Sequence, residues 1–327
     1  MVILCITFVP IFYRLKVYTA YEYLESRFDL KTRTLAALLF LVQRGLAAGI
    51  TIYAPAIILS TLLHWNLTLT NIFIGVLVII YTVSGGTKAV TQTQKQQMAV
   101  MMGGMILAGI LVLNMLPEHI GFTDAMSIAG TMGKMNMINF DFDLEDRYNF
   151  WTGTTAALFL FLSYFGTDQS QVQRYLTGKS LAESRLGLIM NGLLKVPMQF
   201  IILIIGVMVF VFYQFNTPPV FFNKVELEQV RQSEYNLNLT ELETQYSNLH
   251  NQKKIAINNT FTKEQSNIQS KESKAKILAY ESEMNGIREE VKHLVKKNNP
   301  KAETNDKDYI FMSYVMDYLP HGVIGLL

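Results

Sequence analysis

Cysteine and histidine are scarce in this sequence, and their scarcity excludes whole classes of site. Of 327 residues only Cys5 is a cysteine, so there is no disulfide framework and no cysteine-based zinc cluster. The five histidines are scattered and form no HExxH motif, which disfavours a histidine metal site. No nucleophile–base pair stands out. We therefore do not expect an enzyme, a resident metal or a cofactor.

Charged residues are also scarce, except in one segment. Residues 224–308 hold 14 Lys/Arg and 14 Asp/Glu, and the other 242 residues hold only 26 charged side chains. The signs are mixed within that segment and the net charge is only +2, so no basic block predicts a nucleic-acid partner. This segregation is typical of a protein embedded in a lipid bilayer that carries one large polar insert.

Apolar segments predict the membrane spans. A crossing helix needs about 20 mostly apolar residues. The first 13 residues and the last seven are apolar but too short, and we interpret both as parts of helices that continue outside this sequence; a short buried helix is the alternative for the first stretch. The segments that we accept as spans are 35–63, 72–87, 98–116, 151–165 and 186–215.

Basic loops predict the orientation. Lys and Arg concentrate in the connections 14–33, 84–97 and 168–185, which all fall on one side of the predicted spans. The positive-inside rule makes that side cytoplasmic. We therefore expect a multi-pass protein of the plasma (cytoplasmic) membrane whose polar insert, residues 218–308, is extracytoplasmic.

The insert carries two apolar heptad seams. Spacings of three and four residues recur in both, which predicts two helices packed as an antiparallel hairpin with a turn at 258–262. Such a hairpin is either a solvated spacer or an arm in which residues 224–298 contact a protein partner. The seam residues are Tyr235, Leu239, Leu242, Tyr246 and Leu249 in the first helix, and Ile277, Tyr280, Met284, Ile287, Val291 and Leu294 in the second.

Two cations and a tyrosine inside the predicted spans are candidates for function, because charge in a membrane is costly. Arg44 lies about ten residues into its span, ~15 Å deep in a helix. It is either paired internally or snorkelling, or it faces a transport cavity where its planar fork holds a carboxylate. Lys195 is similarly deep, beside Pro197, and needs a partner or water. Tyr164 is either a core residue or a hydrogen-bonding wall of a cavity.

Four stretches of this sequence resemble the sodium:solute symporter family of sugar, iodide, vitamin and sialic-acid cotransporters. They keep the family's order and spacing over residues 1–217, and YLPHGVIGLL resumes it after the insert. The stretches are PIFYRLKVYTAYEYLESRF, ITIYAPAIILS, YTVSGGTKAV and GTDQSQVQRYLTGKS.

The resemblance implies a fold and its limits. The family core has two inverted five-helix repeats, with solute bound at the midplane. The chain would then be an all-α polytopic membrane protein with a partial core at 1–217, from within the second core helix through the seventh. The insert follows at 218–308, and the start of the eighth helix at 309–327. The helices that hold sodium in the family lie outside this fragment, so residues 1–327 alone are not expected to bind it there.

The resemblance also implies roles for single residues. Lys195 falls on a substrate-site lysine of sugar-transporting members, and Tyr164 on an inner-gate tyrosine. Gln94 replaces an ion-coupling aspartate, which argues against a second sodium site. Arg44 lies on the helix that supplies a carboxylate-binding arginine in the sialic-acid branch, which favours an anionic solute. The expected function is sodium-coupled symport of a small organic solute; the alternative is a non-transporting sensor or scaffold that uses the insert to bind a partner.

Overall fold

The structure is a computed structural model that describes residues 1–324, except positions 16, 18, 64, 136–138, 144, 146–148, 177, 179, 262–266, 301, 303 and 308. Within these described residues every regular segment is a helix, and the single β contact is an isolated bridge between Asn139 and Asn149. The predicted all-α class is therefore confirmed.

The first part of the chain contains seven helices among the described residues. Side chains cap several of them; the Asn149 side chain, for example, accepts a hydrogen bond from Thr152 N at 2.8 Å. The helices are α1 (Val2–Ile6), α2 (Phe8–Leu15), α3 (Ala20–Arg27), α4 (Leu30–Leu63), α5 (Leu67–Asn114), α6 (Phe122–Thr131) and α7 (Phe150–Gly166).

Among its described residues, the second part of the chain contains one helix of 35 residues, the two long helices of the insert and four helices of ten residues or fewer. These helices are α8 (Gln169–Leu176), α9 (Leu181–Phe215), α10 (Lys224–Arg231), α11 (Asn236–Phe261), α12 (Asn267–Asn298), α13 (Tyr309–Tyr318) and α14 (His321–Ile324).

Four stretches of the described helices are long and apolar enough to cross a membrane. They correspond to four of the five predicted spans, and most of their large apolar side chains are exposed, as lipid-facing side chains are. The fifth predicted span is α7, which at 17 residues lies at the short end of the range for a spanning helix. The four stretches are Leu30–Tyr53, Leu67–Gly86, Ala89–Asn114 and Leu181–Phe215.

The connection between the second and third spans differs from the prediction. We expected a loop after residue 87, but α5 continues through this region and is interrupted only at Gly86, where φ is 56° and ψ is −159°. Only glycine adopts this backbone region readily, so Gly86 supplies the kink. The following residues, AVTQTQKQQ, include no proline or glycine, and their polarity does not prevent them from forming a helix.

The chain divides into two compact units. The first unit comprises Met1–Gln97 and Ile138–Gln199. Its core is built where α1 and α2 pack against α7, α8 and the first turns of α9, with Val9 and Val172 fully buried at its centre. This packing orders the turn between α7 and α8, which carries the polar residues described below.

The second unit comprises Met98–Met137 and Phe200–Leu327. Its core joins α6, the C-terminal ends of α5 and α9, α13 and part of the insert hairpin. Aromatic rings pack edge to face within this core: the centroid of the Phe212 ring lies 5.3 Å from that of Tyr314 and 4.7 Å from that of Tyr318. The hairpin is therefore packed into this unit along part of its length.

The hairpin seams confirm the heptad prediction. Leu239 and Tyr246 of α11 and Met284 and Val291 of α12 are buried in one apolar cluster. The turn was predicted wrongly, however, because α11 continues to Phe261 and so includes most of residues 258–262. Position 262 lies outside the described residues. The apolar seam alone did not mark where this helix ends.

Buried polar groups fasten the hairpin. Lys253 of α11 is 2% exposed and pairs with Glu281 of α12 at 2.5 Å. Burial lowers the pKa of Lys253, and the Glu281 carboxylate opposes that shift. His250 is fully buried, with Nε2 2.9 Å from the carbonyl oxygen of Tyr213 and Nδ1 3.3 Å from Thr217 Oγ1. Burial lowers the pKa of His250, because a charged ring would lose its hydration.

A second buried ion pair closes the base of the hairpin. Asp306 is 2% exposed, and its Oδ2 accepts hydrogen bonds from Arg288 at 2.7 Å and from Phe222 N at 2.9 Å. The Arg288 guanidinium also lies 5.2 Å from the centre of the Phe222 ring. These contacts hold α12 against the chain segments that enter and leave the hairpin.

Candidate functional site

An ion pair between α4 and the residues that follow α7 lies at the centre of the candidate site. Arg44 of α4 donates a hydrogen bond through Nη2 to Oδ2 of Asp168, which follows the end of α7. Asp168 Oδ1 accepts from Ser170 N at 2.9 Å and from Ser170 Oγ at 2.7 Å. The Asp168 side chain is only 13% exposed. Its carboxylate is therefore well satisfied, and the pair connects α4 to the turn between α7 and α8.

The Arg44 guanidinium is only partly satisfied by this partner. Its centre lies 5.9 Å from the Phe40 ring centroid, and Nε is buried without a hydrogen-bond partner in the described part of the chain. A guanidinium has five N–H donors in a fixed fork, so donor capacity remains for a second acceptor.

Helix α3 completes the surroundings of the pair. Gln169 Oε1 accepts a buried hydrogen bond of 2.8 Å from Ala20 N, at the start of α3. The Tyr21 ring lies 5.6 Å from that of Phe40 on α4. We call this meeting of α3, α4, α7 and α8 around Arg44 and Asp168 the ion-pair corner.

Tyr164 lies next to the ion-pair corner, one helical turn before Asp168. Its hydroxyl accepts a hydrogen bond of 2.8 Å from Gln171 Nε2, and its ring lies edge-on to Phe165 at 5.0 Å. The Tyr164 side chain is partly exposed, so it is not a fully buried core residue. The Tyr164–Gln171 bond fixes the direction of the phenol.

A cavity of about 390 Å³ lies beside the corner. Apolar side chains such as Phe12 dominate its wall, and Tyr21, Tyr23 and Thr167 bring polar atoms to it. This volume is within the range of small-molecule sites.

Lys195 and Gln94 do not join this arrangement. Both side chains are exposed, Lys195 on α9 and Gln94 on α5. Within the part of the chain that the structure describes, neither shares a hydrogen bond or ion pair with the ion-pair corner. Of the four predicted site residues, Arg44 and Tyr164 are therefore brought near each other, and the other two are not.

The structure adds Asp168 and Gln171, whose contacts the sequence analysis missed. Both belong to the GTDQSQVQR stretch that carries the family resemblance, which was the available signal. Arg44 and Asp168 are 124 positions apart, however, and no sequence spacing predicts that they form a pair.

Comparison with known proteins identifies the family. The family model described as "Sodium:solute symporter family" matches residues 1–235. The sodium-coupled monocarboxylate transporter 1 of Mus musculus is 37% identical over 184 residues, which are 56% of this chain and 30% of that protein. The sodium/iodide cotransporter of Homo sapiens is 33% identical over 217 residues, 65% of this chain and 32% of that protein.

A solved structure of a Na+-coupled sialic acid symporter, in a substrate-bound outward-open state, shares the fold. It superposes with a TM-score of 0.56 at 20% sequence identity and covers 100% of this chain and 62% of that chain. The chain spans about a third of the length of the curated relatives it matches. Because the family model matches well over half of its residues, this multi-pass membrane chain belongs to the sodium:solute symporter family.

Proposed function

We propose that residues 1–327 are part of a sodium-coupled symporter that moves a small organic anion by alternating access. The observation that carries this proposal is the family match over residues 1–235. Two of the relatives are named for monocarboxylate and iodide, and both of these solutes are anions. These names support an anionic solute with sodium as the coupling ion.

The positively charged side chains in the predicted spans also support an anionic solute. Lys195 carries no ion pair among the described residues, so its ammonium has all three donors available to a carboxylate. Arg44 already holds a carboxylate, that of Asp168. In the proposed transport cycle a solute carboxylate replaces Asp168 as the partner of the Arg44 guanidinium, whose planar geometry suits bidentate binding.

Tyr164 and Gln94 take supporting roles in this proposal. Tyr164 closes the path to the solute from the cytoplasmic side, and its bond with Gln171 holds the phenol in one orientation. Gln94 lies near the ion path. As a neutral amide it attracts a cation less than a carboxylate does, so one sodium site is expected rather than two.

Uptake in cells tests the function. Cells that express the complete gene product containing residues 1–327 receive labelled lactate, iodide or sialic acid, in sodium medium and in choline medium. We expect lactate uptake that requires sodium. Equal uptake in choline medium, at the level of cells without the gene, would refute transport and favour the sensor or scaffold hypothesis.

A matched pair of variants tests the role of Arg44. Arg44→Ala is expected to abolish uptake of the anion. Arg33→Ala removes another arginine of α4 that also pairs with a carboxylate, that of Glu25, and is expected to leave uptake within about twofold of wild type. Unchanged uptake in Arg44→Ala would contradict the proposed contact with solute.

Residues 218–308 are proposed to be extracytoplasmic, in a protein of the plasma membrane. Leu237 and Ser26 are both exposed and lie on sides predicted to be opposite. In a Cys5→Ala background, Leu237→Cys should react with a membrane-impermeant maleimide on intact cells, and Ser26→Cys should react only after permeabilisation. The reverse pattern would invert the proposed orientation.

A further inference from the structure

A second cavity, of about 330 Å³, lies in the first unit where α8 meets about the first three turns of α9. It is separate in position from the cavity beside the ion-pair corner, and of the residues that line it only Gln171 has a part in the proposed transport. Its wall contains neutral polar side chains together with one positively and one negatively charged side chain. These polar residues are Gln171, Arg174, Glu183, Ser184 and Asn191.

Ser184 presents an unsatisfied hydroxyl to this cavity. The residue is only 3% exposed, and its Oγ has no hydrogen-bond partner in the described part of the chain. Buried hydroxyls nearly always have partners in native proteins, so this one indicates a missing acceptor or donor. A β-carbon at Gly178 would lie 2.5 Å from Ser184 Oγ, so a glycine is needed for the chain to pass there.

The start of α9 lies beside the same wall. Ser180 caps it: Ser180 Oγ accepts a hydrogen bond from Glu183 N at 3.2 Å and the Ser180 carbonyl accepts from Ser184 N at 3.0 Å, so these two N–H groups already have acceptors. The dipole of the helix still favours negative charge close to its first turn. Arg174 contributes a guanidinium to the same wall, and guanidinium suits phosphate recognition.

The opposite charge is present as well. Glu183 lines the cavity with a carboxylate, which fits an ammonium group rather than a second phosphate. Phe165 and Leu188 supply apolar wall. The cavity therefore matches a ligand that joins a phosphate, an ammonium and an apolar part.

The position of the cavity identifies the source of such a ligand. Helix α9 has 35 residues and is therefore about 52 Å long, more than the ~30 Å hydrocarbon core of a bilayer. Its first turns can therefore extend into the headgroup region, close to where α7 ends at Gly166.

We propose that this cavity binds the headgroup of a phosphatidylethanolamine-type phospholipid. The phosphate contacts Ser184 Oγ and Arg174, and the ammonium contacts Glu183. The same chemistry is available from soluble phosphoethanolamine, so the test includes both sources. The proposal does not depend on the transported solute.

Native mass spectrometry of the purified complete gene product measures lipid binding directly. The protein is titrated in detergent with phosphatidylethanolamine, with phosphatidylglycerol, and with phosphatidylethanolamine plus an excess of soluble phosphoethanolamine. We expect at least tenfold tighter binding of phosphatidylethanolamine than of phosphatidylglycerol, without displacement by phosphoethanolamine. Equal binding of the two lipids would overturn the headgroup assignment, and displacement by phosphoethanolamine would overturn the lipid source.

Matched variants in α9 locate the binding. Gly187 lines the cavity, and a β-carbon added there meets no atom within 4 Å, so Gly187→Leu adds bulk at the cavity wall from an open position. Gly206 is equally open but lies outside the cavity, so Gly206→Leu is the control. We expect at least a tenfold loss of affinity in Gly187→Leu alone. Equal affinity in both variants would place the lipid elsewhere and refute the proposal.

Ser184→Ala separates a binding role from a structural one. Removing an unpartnered buried hydroxyl should leave the lipid-free protein at least as resistant to heat as wild type, because no hydrogen bond is lost. Lipid affinity should nevertheless fall three- to tenfold. Reduced heat resistance with unchanged lipid affinity would show that the hydroxyl serves the fold only. Because no uptake is measured, failure here leaves the proposed transport untouched.

Discussion

The ion pair between Lys253 and Glu281 allows a quantitative test of how the insert hairpin is held together. Glu281→Gln keeps the size of the side chain but leaves the Lys253 ammonium, 2% exposed, without its counter-charge. Removing one partner of a fully buried pair costs about 3–5 kcal/mol. Glu281 itself is 27% exposed, so water can reach the site, and we take the lower end, about 3 kcal/mol.

The opposite deletion should cost less. Lys253→Met leaves an unpaired carboxylate that still contacts water, so we expect about 1–2 kcal/mol. The double variant Lys253→Met/Glu281→Gln leaves no buried charge and should lie within about 1 kcal/mol of wild type. The three values together form a double-mutant cycle.

Hydrogen–deuterium exchange of the hairpin amides measures these free energies in the whole protein. A loss of about 3 kcal/mol raises the opening constant roughly 100-fold. The control is Glu289→Gln, which breaks an exposed pair with Lys292 on α12 and should cost less than about 0.5 kcal/mol. The reasoning is refuted if Glu281→Gln and Glu289→Gln have the same effect, or if the double variant is less stable than Glu281→Gln.

The pH dependence of the same exchange provides an internal check. A lysine whose folded pKa lies below its ordinary value of 10.5 binds fewer protons in the folded than in the unfolded state, so its contribution to stability rises with pH. Without Glu281 the pKa of Lys253 falls further. The penalty of Glu281→Gln should therefore shrink between pH 7 and pH 9.

Three other changes have expected outcomes. Because the folded pKa of His250 lies below 6.5, hairpin stability should fall as pH drops below 6.5; His250→Gln should remove this dependence in exchange experiments, and a persistent dependence would assign it to another group. Gly86→Ala should cost about 1–3 kcal/mol in thermal unfolding, whereas Gly75→Ala, with open space around its β-carbon, should be neutral or stabilising; equal effects would refute the kink assignment. Asn149→Ala should cost at least about 1 kcal/mol through loss of the α7 cap and of the bond from Asn149 Nδ2 to the Asp143 carbonyl, and Asn149→Ser, which keeps a capping oxygen, should recover only part of it.

Sequence patterns that depend only on neighbouring residues predicted the helices well. The apolar runs located the spans, and the heptad spacing located the buried seam, including Tyr246 and Met284. Both patterns report burial or lipid contact of a continuous helix face, which is a local property. Helix ends were less predictable, since the polar residues after Gly86 can form a helix as well as a loop.

The candidate site was only partly accessible to sequence reasoning. The cost of charge in a membrane was enough to single out Arg44 and Lys195. It did not reveal that Asp168 is the partner of Arg44, because the fold determines which distant polar group reaches a given cation. The buried groups of the insert, such as His250, were missed for the same reason, since their partners come from other elements.

The central claim is that sodium drives the movement of an anion through the protein to which this chain belongs. The direct measurement uses proteoliposomes that contain the purified complete gene product, labelled lactate outside, and either an inward sodium gradient or equal sodium on both sides. Sodium-coupled symport predicts accumulation above the external concentration only under the gradient. The same filling in both conditions would contradict coupling, and no filling in either would contradict transport of this solute.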